Sequence, residues 1–281
     1  MNQRIASTAL GVIFPDDITN QHDDAGHNLT SLSPLSSISP TLLGKMLASC
    51  SRITSGTPPF FSPSSSRPAC SVFRLRSLGE ARDSISFDVK GLEVLELGAR
   101  TALPSIMAGL LGAKHIVATD YPAEPVLKTL RTNIARNIQP CLSLAAAETT
   151  PSGAVSIHGH SWRELEDPIS KSGEHAFDRI IASDCLWMPW QHANLHRSIT
   201  HFLKRTPEAR CWVVAGFHTG RQKMSGFYDA AALEEVGPEV ERMWEGDCSG
   251  EEGVWDIGRD DDITVRKRWL VVASLKWIST S

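Results

Sequence analysis

Two acids, Glu96 and Asp120, close successive apolar runs: Val94 to Leu97 leads into Gly98, and Ile116 to Thr119 ends in Asp120. A glycine turn after the first run lets backbone approach a ligand. An acid ending the second can accept hydrogen bonds from both hydroxyls of a ribose. This is how a nucleoside-binding α/β sheet begins. A dinucleotide needs a pyrophosphate cradle with the three glycines of G-x-G-x-x-G. In Gly98-Ala99-Arg100-Thr101-Ala102-Leu103 only the first is present, and Glu96 would meet phosphates with the wrong sign. A nucleoside carrying a sulfonium and an ammonium but no phosphate suits the pattern better, and S-adenosylmethionine is such a molecule.

On that reading Glu96 holds the methionine ammonium, directly or through water, by charge-assisted pairing, and Gly98 and Ala99 allow close backbone approach. Arg100 has two readings. Its guanidinium can fork onto the methionine carboxylate, or its Cβ is a steric cost where a glycine is wanted; the second is preferred. Asp120 takes the ribose, with a helix N-cap as its competing role. Asp184 ends a later apolar run, where α/β sheets hold ligands, and can orient the methionine portion or an incoming amine. Trp187 is expected to line the same mouth, since aromatic faces attract a sulfonium; Trp190 is expected to pack in the core at the start of the next helix. His218 is a candidate for taking a proton from an amine. No Cys, Ser or Thr stands in a convincing nucleophile arrangement. The expected chemistry is therefore in-line methyl transfer governed by alignment and desolvation. Asp260, Asp261 and Asp262 lack spaced partners and read as a solvated loop, not a metal site.

Positioning these residues requires a parallel sheet. From Phe87 onward strand-like runs alternate with helical patterns, the signature of βαβ units. Strands are expected at about 92–97, 115–120, 154–158, 178–183 and 211–217, with helices near 103–112, 123–137, 190–203 and 225–235. Two further strands, Val240 to Glu245 and Arg268 to Trp277, flank an acidic, Gly-rich segment with no evident helix, so the last strand is expected to run in reverse. Residues 1–86 differ. From Ala25 to Gly79 there is no Asp or Glu while Ser, Thr and Pro recur, and such composition is expected to leave 1–86 largely disordered beside a domain at 87–281. A transit peptide is the less favoured reading of that stretch.

The 281 residues and an apolar fraction of 41% support a globular core, and a net charge of −4 argues against a nucleic-acid footprint. Six scattered cysteines without a C-x-x-C pair read as reduced thiols. No apolar run reaches the ~18 residues of a membrane span, so a cytoplasmic monomer is expected.

The sequence resembles the seven-strand S-adenosylmethionine-dependent methyltransferases, and more narrowly the fungal nicotinamide N-methyltransferase-like group that includes methyltransferases of translation elongation factor 1-alpha. The matching segments are the turn from Glu96 to Pro104, Thr119-Asp120-Tyr121-Pro122, Gly159-His160-Ser161-Trp162, the run from Ser183 to Trp190, the run from Ala215 to Arg221, and Lys267-Arg268-Trp269-Leu270-Val271-Val272. Leu10 to Asp17 also looks like the start of such proteins. The resemblance implies a Rossmann-like α/β sheet with a reversed last strand and helices on both faces. It also implies adenine contacts at Trp162 and S-adenosylmethionine as the donor. Its implied acceptor is a protein amine, a lysine or N-terminus of the elongation-factor type. A small-molecule acceptor and a binding module with impaired catalysis stay open. Two departures stand out: the family's Gly-Ala-Gly turn carries Arg100 as its last residue, and a Trp-Asn stretch expected between roughly 30 and 85 is missing.

Overall fold

The computed structural model describes residues 87–137, 155–217, 219–247, 251–259, 262, 266 and 269–279. The expected disorder of 1–86 lies outside these residues, as do His218, Asp260 and Asp261.

Eight strands form one sheet: β1 (Glu93–Leu97), β2 (His115–Asp120), β3 (Val155–Gly159), β4 (Arg179–Ser183), β5 (Arg210–Gly216), β6 (Pro238–Asp247), β7 (Glu252–Val254) and β8 (Trp269–Trp277). Their order is β3-β2-β1-β4-β5-β8-β6-β7. The first five are parallel. The last strand, β8, inserts antiparallel between β5 and β6, as the sequence predicts. β7 is an addition to that expectation: three residues inside the supposed linker fold back antiparallel on β6.

Side-chain alternation divides the sheet into two faces. Leu95, Leu97, Ile180, Ala182, Val213, Ala215, Val271 and Ala273 enter one core, with Leu195, Ile199 and Phe202 from α4 (His192–Phe202). Val94, Ile181, Trp212, Val214 and Val272 enter the other, with Leu103 and Met107 from α1 (Leu103–Leu110). Ile106 of α1 also meets Leu130 and Ile134 of α2 (Glu124–Asn137) on that side. Strands covered on both faces are necessarily apolar nearly throughout, which is why these runs read so clearly.

The helical expectation near 225–235 is corrected. The segment breaks into α5 (Arg221–Ser225), a 3₁₀ turn (Gly226–Tyr228) and α6 (Ala230–Val236). Asp229 causes the break by capping α6, its carboxylate accepting from Ala232 N at 3.0 Å. A short helix, α3 (Pro168–Gly173), escaped the periodicity reading. Its signal was the cap, with Asp167 accepting from Ser170 N at 2.8 Å and Pro168 in its first turn.

Candidate functional site

The order β3-β2-β1-β4-β5 reverses direction between β1 and β4, and α/β sheets receive ligands at the carboxyl ends of the strands flanking such a point. Asp120, the turn at Gly98–Ala102 and Asp184 all lie there. Ala99 N donates to Thr119 O at 2.9 Å, and Thr119 Oγ1 to Glu96 O at 2.8 Å, fastening the turn to β2.

Backbone strain collects at this point. Gly98 has φ +70°, Arg100 +43°, Ala102 +59° and Asp184 +57°, and Arg163 beside Trp162 has +76°. Thus four of the five non-glycine residues with positive φ among the described residues surround the switch point. Each costs roughly 1–3 kcal/mol and persists only where its surroundings enforce it, a pattern of ligand-binding sites. At Gly98 the need is steric as well: a Cβ would come 2.8 Å from Cys185 Sγ and 3.4 Å from Trp162 Cζ2. Trp162 is thereby placed against the turn.

Asp120 accepts from Arg100 N and Tyr121 N, each at 2.6 Å. α2 begins only at Glu124, so Asp120 is not its N-cap. Burial raises its pKa, opposed by the two amide bonds and by the Arg100 guanidinium. That guanidinium is itself partly desolvated, which lowers its pKa, while Asp184 and Asp120 favour its charge. Asp184 donates its N–H to Val214 O at 2.7 Å and accepts from Gly216 N at 3.3 Å, joining the ends of β4 and β5. Trp187 is half-buried beyond it.

Glu96 requires a correction. It is only 1% exposed, and Oε2 accepts from both Ser105 N at 2.9 Å and Ser105 Oγ at 2.5 Å. Ser105 lies in the first turn of α1, where amides have no helical partner. Glu96 therefore caps α1 through Oε2 and is closed off from direct contact with an ammonium in the mouth. Burial pushes its pKa up to about 8. Trp190 is a second correction: it is 71% exposed on a 3₁₀ turn (Pro189–Gln191) preceding α4. His192 occupies the core position instead, donating from Nε2 to Leu186 O at 3.0 Å.

Sequence reasoning missed Cys185, whose Sγ donates to Leu97 O at 3.3 Å beneath Gly98. Burial and the nearby carboxylates push its thiol up, so it packs as a protonated thiol. It also missed an Asp167–His160–Ser198 array, in which Nδ1 of the buried His160 donates to Asp167 Oδ2 at 2.8 Å and Ser198 Oγ lies 2.9 Å from Nε2. Ser198 is 0% exposed, so the array braces the loop and offers no nucleophile.

S-adenosylmethionine fits these residues. Two carboxylates flank a strained, tightly approached turn, a tryptophan lies against it, and the described residues form no phosphate cradle. Ser183 Oγ at the end of β4 and Thr219 Oγ1 beyond β5 are buried without a hydrogen-bond partner among the described residues. A buried hydroxyl without a partner calls for a ligand or water. A cleft of about 400 Å³ lined by Glu93, His115 and Lys204 opens at the opposite strand ends and plays no part here.

The family profile described as lysine methyltransferase matches residues 71–232, which take in β1 through the first turn of α6. The chain belongs to the lysine methyltransferase family. It is 34% identical over 135 residues to the protein N-terminal and lysine N-methyltransferase EFM7 of Kluyveromyces lactis, covering 45% of this chain and 50% of that one. With the Gibberella zeae protein of the same description it shares 30% over 166 residues, covering 56% and 60%. The chain thus spans about half the length of the curated relatives it matches. Among solved structures, an arsenic(III) S-adenosylmethionine methyltransferase from Chlamydomonas reinhardtii aligns with a TM-score of 0.46 at 13% identity, covering 68% of this chain and 65% of that one.

Proposed function

We propose that this chain is an S-adenosylmethionine-dependent N-methyltransferase acting on a protein amine, a lysine or an N-terminus, with translation elongation factor 1-alpha as its candidate substrate. The observation that carries the reading is the strained Gly98–Ala102 turn, held by Asp120 at the end of β2 and close to Asp184 at the end of β4 through the Arg100 guanidinium, in a chain of the lysine methyltransferase family. The relatives described as protein N-terminal and lysine N-methyltransferases support the choice of acceptor.

When bound, S-adenosylmethionine supplies a methyl group already activated by its sulfonium. The work left to the protein is alignment and exclusion of water, where orientation alone contributes several kcal/mol. In this assignment Asp120 accepts from the ribose hydroxyls with the lone pairs its two amide bonds leave. Gly98 and Ala99 let backbone close on the donor, and Trp162 covers the adenine. Asp184 orients the acceptor amine through its carboxylate, and Trp187 walls the mouth. His218 is the group assigned to take the amine proton, since the nitrogen must arrive with its lone pair free. The acidic balance of the chain, −4, supports a protein acceptor over a nucleic acid, and we place the protein in the cytoplasm as a monomer.

The test is transfer of label from S-adenosylmethionine carrying a radioactive methyl group to purified fungal translation elongation factor 1-alpha, with the modified residue located by mass spectrometry. Nicotinamide serves as the small-molecule control. Label on a lysine or the N-terminal amine is the expected result. Donor binding by calorimetry without transfer to any acceptor would instead make the chain a binding module.

A further inference from the structure

Arg100 stands on a turn that is fastened to the sheet on both sides. Towards β2, its backbone N–H donates to Asp120 Oδ2 at 2.6 Å, and Ala99 N donates to Thr119 O at 2.9 Å. Towards β4, Cys185 Sγ donates to Leu97 O at 3.3 Å and lies against Gly98. Leu97 is level with Thr119 on one flank and with Ala182 on the other. Asp120 and Asp184 thus close the two strands that border β1, with the turn between them. The half-buried Arg100 side chain is held in their field: burial opposes its charge, and Asp184 and Asp120 favour it.

Other charges at this edge weigh less. Burial pushes the Glu96 carboxyl up to about 8, so at neutral pH it is largely uncharged. Arg163, beside Trp162, is exposed, where water weakens its reach. Asp120, Asp184 and Arg100 therefore set the field of the mouth, two negative charges against one positive.

S-adenosylhomocysteine is S-adenosylmethionine without the methyl group and without the positive charge on sulfur. Contacts to ribose, adenine, ammonium and carboxylate are common to both and cancel in the ratio of their affinities. The field at the sulfur does not cancel. The sulfur joins the ribose through a single methylene, so a ribose held by Asp120 keeps it within reach of the same carboxylates and guanidinium. A cation there reduces the pull of the carboxylates on a sulfonium and leaves a neutral thioether almost untouched. Coulomb interaction falls off slowly in a partly desolvated site, so guanidinium and sulfur need not touch.

We infer that Arg100 sets the discrimination between methyl donor and spent product: its guanidinium offsets the field of Asp120 and Asp184 and narrows the site's preference for the sulfonium over the thioether. Arg100 is a specificity-determining residue through its charge, whereas its backbone strain acts on both ligands alike. This rests on the donor site assigned above.

The experiment is calorimetry on the full chain at neutral pH and fixed ionic strength. The ligands are S-adenosylmethionine, S-adenosylhomocysteine and sinefungin, in which an amine-bearing carbon replaces the sulfonium and keeps a positive charge. The affinity of each cation is read relative to that of S-adenosylhomocysteine. Arg100→Gln keeps the Cβ and removes the charge, and the ratio moves about fivefold towards both cations. Arg100→Lys keeps the charge, and its ratio stays within about twofold of the parent's. Arg100→Gly relieves the turn and tightens all the ligands, yet its ratio matches that of Arg100→Gln. It also carries the test should Arg100→Gln fail to fold. A ratio unchanged by loss of the charge overturns the inference and leaves the donor site standing, as does sinefungin following S-adenosylhomocysteine instead of S-adenosylmethionine. Failure of the parent chain to bind any of these ligands removes the donor site, and the inference with it.

Discussion

The backbone N–H of Arg100 donates to Asp120 Oδ2 at 2.6 Å, so the acid at the end of β2 holds the turn at the end of β1 in its left-handed shape. Asp120 therefore has two tasks, shaping the turn and accepting from a ribose, and substitutions separate them. Asp120→Ala removes both and is expected to weaken S-adenosylmethionine binding by ~1–3 kcal/mol in calorimetry, with a matching loss of thermal stability. Asp120→Asn keeps one carbonyl acceptor for the Arg100 amide and is expected to retain more stability than affinity. Parent-like donor affinity in the alanine variant would remove Asp120 from the site.

Arg100 shares the strain of the turn with Ala102. A β-substituted residue at φ +43° costs energy that glycine does not. Its guanidinium also lies in the field of both site carboxylates, Asp184 and Asp120. Arg100→Gly is expected to tighten donor binding by roughly 1–3 kcal/mol. Loss of affinity instead would show that the guanidinium pairs with the donor carboxylate, a contact of about 1.5–3 kcal/mol.

Glu96 makes stability depend on pH in a direction opposite to a salt-bridged acid. Its carboxyl titrates near 4.5 when unfolded and at about 8 when buried. Between those values the folded chain binds the extra proton, so its contribution is complete below about 4.5 and is lost as pH rises towards 8. Asp120, also raised by burial, acts the same way. Asp167, Asp178 and Glu241 are lowered chiefly by their hydrogen bonds and act oppositely, but only in acid below the usual carboxylate range. His158, His192 and His196 are lowered chiefly by burial and act oppositely below pH 6.5. Thermal melts at constant ionic strength are therefore expected to show Tm falling from pH 6.5 to pH 8. Glu96→Gln, which keeps an acceptor for Ser105, is expected to flatten that slope. A parent Tm that is constant across the window would show Glu96 ionised in the fold.

The sheet was legible because strands buried on both faces must be apolar throughout, and because acids at strand ends interrupt such runs abruptly. Gly98, Asp120 and Asp184 could be assigned to one edge from that pattern alone. The direction of the Glu96 side chain could not, since its fate depends on Ser105, nine residues on, reaching back from α1. Trp190 was misplaced for a similar reason: Pro189 starts a 3₁₀ turn, which rotates the ring outward and gives the core position to His192. Buried Glu245 of β6 pairs with Arg221 of α5 and with Arg259 beyond β7, partners that no local spacing announces.

The loop that carries Trp162 is the last part of the site open to a direct test. Ser198 Oγ accepts from Arg163 N at 3.0 Å and also pairs with His160 Nε2, while Asp167 holds the opposite ring nitrogen. These bonds flank Trp162 on both sides and fix it against Gly98. Ser198→Ala leaves the Arg163 amide and the His160 nitrogen without this partner and is expected to lower stability by about 1–3 kcal/mol. Because the loop also slackens, S-adenosylmethionine affinity is expected to fall several-fold at a temperature where the variant is fully folded. Ser198→Thr, which keeps the hydroxyl, is expected to recover part of both losses. If Ser198→Ala loses stability but binds the donor as the parent does, the array braces the fold alone and Trp162 is not part of the donor site.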